Sequence, residues 1–445
     1  MVYYDKEEIL ETIKERDLKK IKEKITDWQV QDIAELITTL EESDSILLFR
    51  SLPKKISGDV FSYLDLESQE ELLSAFTNKE ASQILTNMSP DDRALLFDEL
   101  PGIITRRLFK LLRPEDLKET KSLLGYPEES VGRMMTPDYV SIYKEMTVKE
   151  ALQRIRRRGK DSETLNRVYI IDSNKRLLDS IKLRTIILAD EEDKIENFLE
   201  YNPVSLNAHD DREEAVKIMQ KYDLSSIPVI DSEGVLIGIV TFDDLLDVAE
   251  EKTTEDIQKI GAVTPLQTSY KQASIFTLYH KRIFWLSLLV FVSLFSSGVL
   301  AMFENTLSSA IALAFFIPLL IGSGGNIGSQ SATLMIRAIA TEDVKLNEWF
   351  KVLLKEIMMG LILGLTLGIL ASIIGYFRGG YTIGLIVGLA MLTIILVSNL
   401  IGAALPFILS KLRIDPAVAS SPLITTIVDA LGLIIYFTIA IMILP

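Results

Sequence analysis

Residues 382–409 read TIGLIVGLAMLTIILVSNLIGAALPFIL, 28 positions without a charged side chain. A helix needs about 20 apolar residues to cross the hydrocarbon core of a bilayer. Four further stretches meet the same requirement: 283–303, 307–336, 352–377 and 417–444. The breaks between them collect polar residues. Glu304 and Asn305 form the first, a loop from Arg337 to Lys351 the second, Arg378-Gly379-Gly380 the third and Lys411-Leu412-Arg413 the fourth. Residues 271–445 therefore read as a transmembrane domain of five helices.

The rest of the 445-residue chain is of a different kind. Residues 271–445 hold 10 Lys/Arg and 7 Asp/Glu, which leaves 37 basic and 55 acidic residues for 1–270, a balance of −18 within a total of −15. Glycine divides as well, with 15 of 23 after residue 280. An acidic soluble half meets a membrane half near residue 270. With no cysteine and two histidines, the chain excludes disulfide scaffolds, thiolate metal sites and cysteine nucleophiles. The acidity argues against nucleic acid as a partner. No catalytic constellation is present, so no enzyme activity is expected.

Basic residues set the orientation. Lys281 and Arg282 precede the first span, Arg337, Lys345, Lys351 and Lys355 follow the second, and Lys411 and Arg413 follow the fourth. All fall on one side, which is then cytoplasmic. The acidic half shares that side, and five spans put the C-terminus outside. The start, MVYYDKEEIL, lacks the apolar core of a signal peptide.

Three features inside the spans carry chemistry. Asp429 sits near the middle of the last span, where an aspartate costs about 2.5–3.5 kcal/mol on insertion scales. Either a hydroxyl such as Ser421, Thr425 or Thr426 pairs with it, or a cation or proton neutralises it. The segment 318–330, PLLIGSGGNIGSQ, places Gly322, Gly324, Gly325 and Gly328 within seven residues. Such a run weakens a helix. Irregular backbone at membrane depth needs a watery cavity or a protein shell. Carbonyls freed at Gly325 and Gly328, with the Asn326 and Gln330 amides, would be oxygen ligands for a cation. The competing reading is close helix packing by small residues, which suits Gly360, Gly364 and Gly368. Finally, Asp415-Pro416 fits a helix N-cap as well as a carboxylate at a pore mouth. It lies 14 residues before Asp429, about 21 Å along a continuous helix.

The acidic half contains two repeats. Residues 1–130 read as a helical domain. At an offset of 48, Leu40, Asp44, Leu47, Leu48, Phe49, Leu52, Pro53 and Ile56 match Met88, Asp92, Leu95, Leu96, Phe97, Leu100, Pro101 and Ile104. That pattern suggests stacked helix pairs, a small superhelix. Across 133–251, Val168-Tyr-Ile-Ile-Asp172 recurs as Ile227-Pro-Val-Ile-Asp231, each within a helix–strand–turn–strand unit. This tandem resembles paired CBS domains, over 131–195 and 196–250. By that resemblance Thr241 and Asp244 fall where the family binds the ribose and phosphates of adenine nucleotides; Tyr169 could stack the base, but a tyrosine in a strand is more often simply packed. The first copy lacks the glycine-to-aspartate signature of the second.

Residues 243–256 read DDLLDVAEEKTTED, inside a joint spanning 243–270. At about 100° per residue, Asp244, Asp247, Glu251 and Glu255 share one arc of a helix. Like charges so spaced repel by a few tenths of a kcal/mol per pair, and divalent cations bridging them would relieve it.

Taken in order, the helical domain, the CBS pair, the acidic helix and the five spans resemble the MgtE family of magnesium channels and transporters. The most specific matches are 318–330 and the Asp415-Pro416, Ser421-Pro422 and Asp429 sequence. The resemblance implies a homodimer in the cell membrane with a pore between the membrane domains. It implies that Asp429, with Asn326, Gly325, Gly328, Ser421 and Asp415 along the path, selects hydrated Mg2+. It implies that the 243–270 helix plugs the pore when cytosolic Mg2+ is high. Regulatory Mg2+ would bind Asp244, Asp247, Glu251 and Glu255, with Asp91, Asp92 and Asp98 of the helical domain, and ATP is a further ligand. A proton- or Na+-coupled transporter of divalent cations is the alternative.

Overall fold

The structure is a computed structural model that describes residues 6–266, 270 and 273–444. The expected junction near residue 270 and the N-terminal MVYYD therefore lie largely outside the described residues. The chain divides into two compact units, 1–250 and 251–445.

The first unit opens with short helices, from Lys6–Lys14 to Pro114–Leu124. The 48-residue repeat is a structural one. Glu42–Ser51 and Pro90–Glu99 are both ten-residue helices, each ended by an extended leucine, Leu52 or Leu100, before a proline. Leu48, Phe49 and Leu52 are buried in one copy, and Leu96, Phe97 and Leu100 in the other, within a single core. The proline forces the preceding leucine out of the helical region, and the leucine turns inward to plug the helix end.

The two strand units that follow share one topology. Strands β1 (Ser141–Tyr143), β2 (Arg167–Ile171) and β3 (Leu177–Lys182) form a sheet in that order, β1 parallel and β3 antiparallel to β2. Strands β4 (Leu206–Asn207), β5 (Ser226–Ile230) and β6 (Leu236–Thr241) repeat it, including the register shift near the end of the central strand. The copies join through their turns. Leu177 donates to the Gly234 carbonyl and Leu236 to that of Lys175, both at 3.0 Å. The divergence of the first copy is local. Gly238 of β6 lies against Met135, with no room for a side chain. At the corresponding place in β3, Asp179 is buried and accepts from the Glu200 and Tyr201 N–H groups at 2.6 and 3.1 Å. The Phe242–Ile260 helix then runs across the boundary between the units.

Among the described residues of the second unit four helices are long and apolar enough to cross a membrane: Ile275–Met302, Ile311–Ala340, Leu346–Lys411 and Ser421–Ile443. The third is two helices joined at Gly380, whose φ of +78° and ψ of −173° reverse the chain. Glycines seat its arms, 349–379 and 381–411, against each other. A Cβ at Gly364 would lie 2.9 Å from the Leu392 carbonyl, one at Gly368 2.9 Å from that of Gly388, and one at Gly375 2.8 Å from the Gly384 Cα. Gly364 and Gly368 pack backbone on backbone, as the four-residue spacing of Gly360, Gly364 and Gly368 suggested, and Gly375 extends the contact.

The expected weakening of helix over 318–330 does not occur. Ile317–Ala340 is continuous, and the irregular backbone lies earlier, at Ala310 and the 3-10 turn Ile311–Phe316. Three of the glycines are contact points instead. A Cβ at Gly324 would meet Ile394, Ser398 and Val428; at Gly325, Thr425; at Gly328, Ile424. Packing gained by close approach outweighs the helix propensity lost at each glycine, about 1 kcal/mol. Gly322 faces open space. We expect Gly402→Val to lower the melting temperature in detergent by several degrees, because its Cβ would run into the Gly328 carbonyl and overpacking costs about 1–3 kcal/mol. Gly322→Ala should leave that temperature unchanged or raise it.

Candidate functional site

The final helix starts at Ser421 with Pro422 in its first turn, a position that tolerates the missing N–H. Two turns on comes Asp429, half-buried, its Oδ1 buried and without a hydrogen-bond partner. The hydroxyls nearest in sequence are committed elsewhere. Ser421 Oγ donates to Ser329 Oγ at 2.9 Å, Thr425 Oγ1 to the Ser421 carbonyl at 3.0 Å and Thr426 Oγ1 to the Pro422 carbonyl at 2.8 Å. Pairing of Asp429 with a hydroxyl, one of the two sequence alternatives, is therefore not what the structure shows.

Gly325 and Gly328 lie in unbroken helix, so their carbonyls are not freed as the ligand reading required. Asn326 and Gln330 share an exposed stripe with Gly322 on that helix. Sequence reasoning passed over Glu356, which lies inside an apolar stretch of 349–379. Its Oε2 accepts from Asn399 Nδ2 at 2.8 Å, and Ser331 Oγ lies 3.4 Å away. The carboxylate joins both arms to the glycine-bearing helix, and Asn399 within the apolar run was the one signal for it.

Of the two roles read for Asp415 from the sequence, the structure shows the cap, and it adds a lysine partner that the sequence did not offer. Asp415 caps the Pro416–Val418 turn by accepting from the Ala417 N–H at 2.9 Å, and it pairs with Lys259 Nζ at 2.6 Å. Burial pushes its carboxyl up, but Lys259 and the Ala417 N–H hold it below the usual carboxylate range.

In the first unit the structure unites residues that the sequence offered singly. Asp91 and Asp92 occupy the first turn of Pro90–Glu99, which Ser89 caps. Asp244 opens the Phe242–Ile260 helix and accepts from Thr241 Oγ1 at 2.5 Å. Burial and Asp92 push Asp91 up to about 7. Burial and Asp91 push Asp244 to about 7. Glu163, from the loop after the Val148–Arg158 helix, reaches about 7 through burial, Asp244 and Asp243. Asp91 Oδ1 is buried and unbonded. Glu163 and Asp243 carry no periodic signal, so the sequence alone did not place them here. Among the described residues, no three carboxylate or imidazole groups converge closely enough to ligate a metal.

The acidic arc of the connecting helix is not a uniform row. Asp244 joins the Asp91 cluster, Asp247 and Glu251 are exposed, and Glu255 is held by Lys252 and Lys259. Asp98 pairs with Arg133 at 2.7 Å and is no candidate ligand. Tyr169 must also be withdrawn as a stacking residue. It is fully buried, and its hydroxyl shares a hydrogen bond of 2.8 Å with Ser226 Oγ, so neither ring face is open to a base. A cavity of about 770 Å³ does lie beside Thr241, with Glu163, Asn166, Ser225 and Asp243 on its wall.

The three carboxylates at about 7 sit above the ordinary range near 4. Their protonated forms fit the fold, so the stability they add is complete below pH 4 and is lost as pH rises through 7. With chelator present, the melting temperature of the first unit should fall by roughly 5 °C between pH 5 and 8. Mg2+ should reverse the fall, and Asp91→Asn should flatten it; a flat wild-type profile would refute the cluster.

Comparison with known proteins adds three matches to family patterns. Residues 317–439 match the pattern described as a divalent cation transporter, 28–129 the MgtE intracellular N domain, and 131–192 and 195–251 the CBS domain. The chain is 38% identical to the magnesium transporter MgtE of Thermus thermophilus over 97% of this chain and 96% of that one. It is 31% identical to the MgtE of Bacillus subtilis, over 94% and 95%. A solved structure of the cytosolic domain of the Mg2+ channel MgtE in complex with ATP superimposes with a TM-score of 0.52. It shares 34% identity and covers 54% of this chain and 98% of that one.

Proposed function

Because the chain belongs to the MgtE family of divalent cation transporters, we propose that its membrane unit conducts Mg2+ past Asp429. The reading rests above all on the Asp429 Oδ1, a buried acceptor with no partner on an apolar helix. A carboxylate so placed needs a positive counter-charge. Mg2+ sheds water reluctantly and binds through one or two carboxylates with most of its waters kept. Two copies of the chain would supply two such carboxylates. The exposed stripe of Gly322, Asn326 and Gln330 supports a pore between copies, since amides facing lipid would be unsatisfied. The turn at Gly380 supports counting the arms 349–379 and 381–411 as separate spans, five in all. The basic residues flanking the spans support a cytoplasmic first unit and an external C-terminus.

Regulation follows from the other carboxylates. Mg2+ entering among Asp91, Asp92, Glu163, Asp243 and Asp244 would relieve their repulsion and fix the start of the Phe242–Ile260 helix. That helix carries the constraint to the membrane unit, and the pore closes when cytosolic Mg2+ is high. The helical domain, the two CBS domains and this connecting helix form the sensor. The cavity beside Thr241 is the place for an adenine nucleotide, a reading favoured by the relative solved with ATP. Its acidic wall calls for a nucleotide that arrives with Mg2+.

Mg2+ flux into liposomes tests the pore. Asp429→Ala should lower it by at least about tenfold, the rate equivalent of 1.4 kcal/mol. Asp429→Asn should do the same at equal protein incorporation. Normal flux in both variants would overturn the assignment, and flux that follows an imposed proton gradient would favour coupled transport.

A further inference from the structure

The end of the connecting helix carries its own cations. Lys259 Nζ lies 2.6 Å from Asp415 Oδ2 and 2.5 Å from Glu255 Oε1. Lys252 Nζ lies 3.1 Å from Glu255, 3.7 Å from Asp256 and 3.9 Å from Asp415. Three carboxylates thus share two ammonium groups, all between 21% and 32% exposed. Packing holds the same place. Ile260 sits on a cluster that includes Ala332, Ile336, Ala417, Ala419 and Ile424, drawn from the starts and ends of the spanning helices. Beyond it, Thr264 donates to the Lys281 carbonyl at 3.0 Å. The Asp91 cluster is the opposite case. The groups acting on Asp91, Asp244 and Glu163 are other carboxylates and hydroxyls.

We propose that Lys259, supported by Lys252, is a positioning residue that latches the end of the connecting helix to Asp415 without a metal ion. The inference rests on the gating reading above and sharpens it. A divalent ion gains little where tethered ammonium groups have already neutralised most of the charge. It gains most where carboxylates face one another unpaired. Regulatory Mg2+ therefore acts at the start of the helix, and the ion pair fixes its end. The Asp415 carboxylate serves this latch besides capping the turn that leads into the Asp429 helix.

The test is Mg2+ flux into liposomes at micromolar and millimolar internal Mg2+. In the Lys259→Met variant, flux at millimolar Mg2+ should rise about 1.5–5-fold over wild type, the scale of an ion pair. Flux at micromolar Mg2+ should match wild type. Lys259→Arg should restore closure, and Lys252→Met should show the same change to a smaller degree. Raised NaCl should loosen closure in wild type but not in Lys259→Met, since salt screens partly exposed pairs. The Mg2+ concentration that half-protects residues 1–250 from protease should stay unchanged, a result that general destabilisation would not give. Tight closure in Lys259→Met would overturn the latch. So would closure at lower Mg2+ than wild type, which would make the lysine a competitor of the ion. So would a well-folded Lys259→Met that fails to conduct at micromolar Mg2+. Failure of the pore reading would show separately, as normal flux in Asp429→Ala.

Discussion

A carboxylate inside an apolar helix bundle has few ways to exist, and Asp429 has been left with fewer than most. The hydroxyls that its own helix offers are bound to Ser329 and to backbone carbonyls. Its helix cannot readily rotate to find others. Gly324, Gly325 and Gly328 bring the neighbouring helix into contact with Val428, Thr425 and Ile424. Those residues occupy the turn before and the position beside Asp429. The same close approach fixes where the carboxylate sits, and under the proposed conduction an arriving cation would be its partner. Insertion scales put the penalty for such a group at about 2.5–3.5 kcal/mol, so its retention needs a return in function.

The acid excess of the chain is handled in two physically distinct ways. At Asp415 and Glu255 the protein brings its own cations, and the carboxylates stay ionised at low cost. At Asp91, Asp244 and Glu163 it brings none, and burial among like charges raises all three carboxyls to about 7. A group so raised is held in the ionised form only at a cost in free energy. The two arrangements differ in what they ask of the solution. Under the proposed gating, the first would be indifferent to divalent ions and the second would gain from them. Each draws one carboxylate, Asp244 or Glu255, from the Phe242–Ile260 helix.

Much of this was legible from residue patterns. Long apolar runs, the Arg378-Gly379-Gly380 turn and both repeats are local signals, each set by residues close in sequence. The lone Asp429 was legible because charge among 20 apolar neighbours is conspicuous. What the sequence could not supply was partnership. Glu163 and Asp91 are 72 positions apart, Lys259 and Asp415 156, and no periodicity relates them. For Tyr169 the sequence left stacking and strand packing both open, and its burial inside β2 decides for packing. The segment 318–330 misled for a subtler reason. Glycine lowers helix propensity in isolation, but here each Cβ omitted lets another helix approach, and tertiary packing decided the outcome. Asp98 read as a ligand because its partner, Arg133, lies in another element.

The energetics of sensing favour dividing the task between the two clusters. Moving a two-state gate from 1:99 to 99:1 takes about 5.5 kcal/mol of differential binding. A single site that sees ten times its dissociation constant contributes about 1.4 kcal/mol, and a hundred times about 2.7. One such site falls well short of what the switch requires. Under the proposed gating several ions would act together, and a half with an excess of −18 would gather them. A metal-independent latch lowers the requirement further. It supplies a constant part of the closing free energy, so that the ions need only tip a balance already near even. The latch must then be weak, because a strong one would keep the gate closed when Mg2+ is scarce. Pairs that are 21–32% exposed, worth about 0.2–1 kcal/mol each, have the strength that such a bias requires.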